Sequence, residues 1–126
     1  PQFGHWLISY ITSQTHSTAL ADFNGDGHLD FVTGKRYFAH TERLNPSNRS
    51  TIDPGTYEKP LILWFENGKG KNPYWIEHVI DEDSGIGLNT EVFDMNKDGK
   101  PDIVVANKKG VFFFENLMTP VKDAKK

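Results

Sequence analysis

Apolar and polar positions alternate in short runs along this chain, separated by clusters of Asp, Asn, Gly, Ser and Pro. That pattern predicts strands joined by turns, and no stretch carries a helical period. His5–Thr12 (H-W-L-I-S-Y-I-T) predicts a strand, and Tyr74–Asp81 (Y-W-I-E-H-V-I-D) predicts its counterpart, with Trp6 matched to Trp75 and Ile11 to Ile80. Thr18–Phe23, Phe31–Thr33, Leu88–Met95 and Ile103–Ala106 predict four more strands. Two others end in a shared signature, Trp64-Phe65-Glu66-Asn67 and Phe113-Phe114-Glu115-Asn116. Asn107–Gly110 predicts a tight hairpin turn. The corresponding connection in the first half is 23 residues longer, and its stretch 34–60, rich in Asn, Ser, Pro and Thr, predicts an inserted surface loop. Loops of that length are usually functional or disordered. Residues 118–126 predict a flexible tail.

The strands therefore fall into two repeats. With the four strands of a unit lettered a to d, the order is d, then a-b-c-d, then a-b-c. The repeats span about 13–81 and 82–117, and the strand at 5–12 is an outer strand left over. Between strands a and b each repeat carries an acidic nonapeptide: Asp22–Asp30, D-F-N-G-D-G-H-L-D, and Asp94–Asp102, D-M-N-K-D-G-K-P-D. Oxygen-bearing side chains occupy positions 1, 3, 5 and 9: Asp22, Asn24, Asp26 and Asp30, then Asp94, Asn96, Asp98 and Asp102. Glycine holds position 6 in both, 72 residues apart. Three carboxylates in so short a loop repel one another unless a cation joins them. Calcium takes six to eight oxygens at about 2.3–2.6 Å and tolerates irregular geometry. The glycine permits the turn that brings in the position-7 carbonyl, of His28 and of Lys100. The expectation is two calcium ions. A polar Asx turn is the plainer alternative, and matching at five positions in two copies argues against it. An EF-hand requires Glu at position 12, where Thr33 and Val105 stand, and helical flanks.

Composition narrows the function classes. The chain has 126 residues, enough for a single domain's core, with 14 Lys and Arg against 17 Asp and Glu. A net charge of −3, with no basic patch, argues against nucleic-acid binding. No apolar run is long enough to span a membrane, and no charged leader precedes one. The chain starts at Pro1 without an initiator Met, so a processed product or a fragment is expected. Cysteine is absent, which excludes disulfides and thiolate metal sites. Loops with few charges bind calcium weakly, which suits an extracellular or cell-surface setting. Asn48-Arg49-Ser50 matches a glycosylation sequon by pattern.

D-x-N-x-D-G-x-x-D between adjacent strands is similar to the FG-GAP/VCBS repeats of integrin-α-like calcium-binding β-propellers, a likeness that covers residues 5–117. The F-G and G-A-P signatures themselves are not present as such. Thr33–His40 and Ile80–Gly87 resemble repeats in large secreted propeller proteins of environmental bacteria, and a weaker likeness is to sugar-processing lyases on the same scaffold. The resemblance implies an all-β fold of two propeller blades, completed by further copies through strand complementation or by a longer chain. It also implies that the b–c and d–a connections share one rim, gathering His16, Lys35, Arg36, Tyr37, His40, Asp83, Ser84, Lys108 and Lys109. Lys35, Arg36, Tyr37, Asp83 and Lys108 are the candidates for binding a carbohydrate or protein ligand. His16, Arg36 and His40 are the candidates for chemistry if the chain is a lyase-like enzyme. The aromatic residues Trp6, Trp64, Tyr74, Trp75 and Phe112–Phe114 could form sugar-stacking platforms, but their alternation within strands makes core between sheets the expectation. The leading expectation is a structural or binding module; a carbohydrate-handling enzyme is the alternative.

Overall fold

A computed structural model describes residues 2–37, 58–71 and 74–121. Among these every regular element is a strand, as the alternation of β-branched and aromatic residues with polar ones favours. Seven strands, β1 (Thr15–Ala21), β2 (Asp30–Lys35), β3 (Leu61–Asn67), β4 (Trp75–Asp81), β5 (Thr90–Phe93), β6 (Asp102–Asn107) and β7 (Gly110–Phe114), form two antiparallel meanders. The first has the order β1-β2-β3-β4 and the second β5-β6-β7.

The two sheets share one register. Phe31 pairs with Phe65 across β2 and β3, and Ile103 pairs with Phe114 across β6 and β7. Ala19 pairs with Val32, and its counterpart Glu91 with Val104. A one-residue slip would exchange the faces of a strand, so shared register places equivalent side chains on equivalent faces.

The core lies between the sheets. Val32, Ile62 and Trp64 of the first meet Ile103 and Val105 of the second, with Phe23 and Ile86 closing the ends. Phe23 meets Trp64 edge-on at 6.4 Å between ring centroids. Each such side chain contributes about 1.5–3 kcal/mol by leaving water. The opposite face of the first sheet carries a smaller aromatic cluster: Phe31 stacks on Phe65 at 4.6 Å, and Trp75 meets Phe31 edge-on at 4.8 Å.

Three expectations need correction. His5–Thr12 is not a strand, and its Trp6, Leu7 and Tyr10 are exposed. A strand exists only where a neighbour takes its N–H and C=O groups, and none lies beside this run among the described residues. The insert begins later than residue 34, because Gly34 and Lys35 complete β2 against Ile62 and Leu61. The tail is not free from its start. Met118 packs on the core, and the Val121 amide donates to the Asn24 carbonyl at 2.8 Å.

Candidate metal centres

Each acidic nonapeptide folds around its own backbone amides. In the first, the Asp26 amide donates to Asp22 Oδ1 (2.9 Å) and to Asn24 Oδ1 (3.1 Å), so both oxygens converge on one nitrogen. The Gly27 amide takes the other oxygen of Asp22 at 2.8 Å, and the His28 amide donates to Asp26 Oδ1 at 2.9 Å. The second loop repeats all four bonds. Asp98 donates to Asp94 (3.1 Å) and Asn96 (3.0 Å), Gly99 to Asp94 (2.9 Å), and Lys100 to Asp98 (3.0 Å). Gly27 and Gly99 adopt φ of 87° and 85°, the left-handed backbone that only glycine enters without strain. The loop is thus closed on its own amides rather than splayed.

Position 9 is committed first to the protein. Asp30 is fully buried and accepts from the Phe23 amide (3.3 Å), the Trp64 indole (3.0 Å) and the Asn67 amide (2.8 Å). Asp102 accepts from the Met95 amide (3.0 Å) and the Asn116 amide (2.9 Å); Phe113, which stands where Trp64 does, has no third donor to offer. These aspartates tie each loop to the end of its own third strand. Burial pushes the Asp30 carboxyl above the usual carboxylate range, despite the bonds from Asn67, Trp64 and Phe23.

The shared Glu-Asn signature, read from the sequence only as a strand end, belongs to these sites. Glu66 accepts from the Asn24 side-chain amide at 3.1 Å, and Glu115 from that of Asn96 at 2.9 Å. Each glutamate holds the asparagine NH₂, which leaves the amide oxygen to face the loop. The asparagine that follows supplies the backbone donor to position 9. The signal lay in the sequence, since Glu-Asn is the polar pair that both repeats keep outside the nonapeptides. Glu66 also meets His78 Nε2 at 2.9 Å, and His78 stacks on Trp64.

Lysine ammonium groups sit on the position-5 carboxylates: Lys69 at 2.9 Å from Asp26 Oδ2, and Lys100 at 3.0 Å from Asp98 Oδ2. Burial pushes the Asp26 carboxyl up, but Lys69, the His28 amide and Asn24 together outweigh it and hold it below its ordinary value. Lys100 holds the exposed Asp98 down likewise. Among the described residues no three His, Asp or Glu side chains gather as a cluster on their own. A cation here would draw on a mixed set: the carboxylates of positions 1 and 5, the amide oxygen of position 3, the position-7 carbonyl and the remaining lone pairs of position 9. Hard oxygen donors of that kind, converging on a turn that already attracts ammonium, fit a calcium ion.

The expected rim is divided. Lys35 is buried at 1% exposure, its ammonium bonded to the Glu58 carbonyl at 3.0 Å, so it anchors the returning chain rather than greeting a ligand. Burial lowers its affinity for a proton. The backbone of Arg36 bridges to Ile86 of the second unit. Tyr37 and Asp83 do come together, through Lys109, whose ammonium bonds Asp83 and stands 5.3 Å from the Tyr37 ring centroid. Lys108 is exposed in the turn beside it. His16 is half-buried in β1 opposite Gly34, and His40 lies outside the described residues.

No curated protein and no solved structure shows a significant match to the chain. The family model of the FG-GAP repeat matches residues 15–50, a span that holds β1, the first acidic loop and β2. A second nonapeptide loop, outside the matched span, folds by the same bonds, and the two antiparallel sheets are consistent with partial propeller blades.

Proposed function

We propose that the chain is an extracellular, calcium-stabilised β-propeller unit that serves as a structural or binding module. The observation that carries this is the duplicated hydrogen-bond set, which turns the oxygens of Asp22, Asn24 and Asp26, and of Asp94, Asn96 and Asp98, onto the same short arcs of backbone. An ion at each loop replaces repulsion among carboxylates with shared coordination, and the loop joins the first two strands of a sheet at one end. Calcium is structural in this reading. It fixes the a–b bends and leaves the opposite rim, with Tyr37, Asp83 and Lys109, to recognise a ligand.

The test is a thermal melt with calcium and with chelator, beside a calorimetric calcium titration. If each site binds at about 10 μM, millimolar calcium adds about 2.7 kcal/mol per site. The expected outcome is two bound ions and a large fall in melting temperature on chelation. An unchanged melt with no heat of binding refutes the reading.

A further inference from the structure

Among the described residues, the second sheet is the first sheet with a strand missing and a face uncovered. β7 ends its sheet, whereas β3, which it matches residue for residue, is covered by β4. Beside β7 a cavity of about 300 Å³ runs between the sheets, lined chiefly by Trp64, His78 and Ile80 on one side and Phe114, Leu117 and Met118 on the other. The far face of the second sheet carries Phe113 at 51% exposure, Val111 at 75% and Met95 at 54%. Their equivalents in the first sheet, Trp64, Ile62 and Phe23, are buried against the second sheet. Large apolar groups left in water on an unpaired edge mark an interaction surface.

We infer that the occupant is residues 5–12 of a second copy of this chain, whose first sheet then covers the far face of the second sheet. This rests on reading each sheet as a propeller blade. Three observations name the occupant. First, the run aligns with β4 at Trp6 with Trp75 and at Ile11 with Ile80, and Trp6, Leu7, Tyr10 and Ile11 are all more than half exposed. A strand apolar on both sides is one that becomes buried on both sides. Second, the β3–β4 pairing fixes the register. Asn67 opposite Trp75 and Trp64 opposite His78 become Asn116 opposite Trp6 and Phe113 opposite Ser9. In that register Trp6, Ile8 and Tyr10 project toward the cavity. Third, the chain steps from β4 to β5 into the unit on one side of the first sheet. A strand that precedes β1 belongs, in the same sense of travel, to a unit on the other side. The β7 edge of its own copy lies on the wrong side for it. Head-to-tail contacts between copies close into a ring when the rotation allows.

The mass of the calcium-loaded protein tests this by light scattering at about 100 μM. The expected mass is a small multiple of 14.3 kDa. Phe113→Lys, on an exposed position, returns it to a single chain while the chelator-sensitive melt persists. Ser9→Cys together with Phe113→Cys gives oxidised species joined between chains, since residues directly opposite lie within disulfide reach. Ser9→Cys with Phe112→Cys, one position out of register, does not. A wild-type monomer overturns the inference and leaves the edge to a strand from elsewhere. So does a disulfide within one chain, or equal crosslinking by both pairs. Because calcium dependence is read separately, failure here does not depend on the calcium assignment.

Discussion

The two acidic loops share a sequence pattern and a hydrogen-bond set, yet they live in different surroundings. In the first, Asn24 and Asp26 are buried at 5% and 4% exposure; their counterparts Asn96 and Asp98 are exposed. The cause is the chain after β7. The Asn116 side chain donates to the Phe23 carbonyl at 2.9 Å, Val121 bonds Asn24, and Pro120 rests on Gly25. Gly25 makes that contact possible, since a Cβ there would come within 2.9 Å of Pro120. Lys97 holds the same place in the open loop with the same left-handed backbone, φ 64° against 71°, and is exposed. Local sequence closes the loop; the neighbouring unit decides how dry it is.

The strongest way to break the comparison is at position 9. Asp30→Ala strands three N–H donors, two of them buried, and Asp102→Ala two, one of them buried, so urea melts should show losses of about 3–5 and about 2–4 kcal/mol respectively. Equal losses would mean that the Trp64 indole bond adds nothing.

The lid comes next. Asn116→Ala removes a buried bond to Phe23 and should cost about 1–3 kcal/mol, whereas Asn67→Ala loses an exposed bond to Leu29 at 3.2 Å and should cost about 0.5–1 kcal/mol. Calorimetry on Asn116→Ala should weaken one calcium site and spare the other. A parallel loss at both sites would refute the claim that the lid acts on the first loop alone.

The smallest effect is electrostatic, and it is read in chelator. The Asp26 carboxyl titrates below its ordinary 3.8 in the folded chain, so its contribution is complete above that pH and is lost as the pH falls through the folded value. Asp98 shifts the same way but is fully exposed, where water and salt screen it. Asp26→Asn should therefore flatten the acid limb of stability below about pH 5 more than Asp98→Asn does.

The repeat period, the strands from Thr15 to Phe114 and both nonapeptides were legible in the sequence because each is a local pattern. Of the aromatic residues expected in the core, Trp64, Phe112 and Phe114 lie there, while Trp6, Tyr74 and Phe113 are exposed and Trp75 packs on the opposite face of its sheet. Alternation marks strands, and oxygen spacing marks a cation loop. Glu66 and Glu115 were visible only as a repeated pair, because the asparagine amides they hold come from 42 and 19 residues away. Lys35 misled because its charge suggested a rim, while β2 turned it inward to the Glu58 carbonyl.

The sequence by itself determined two sheets of one design, each with an acidic bend, since spacing within a strand or loop needs no knowledge of neighbours. Only tertiary structure decided which loop is covered and which edge is left unpaired. Both depend on where Asn116–Val121 and His5–Thr12 lie, and a segment's partner lies outside its own sequence.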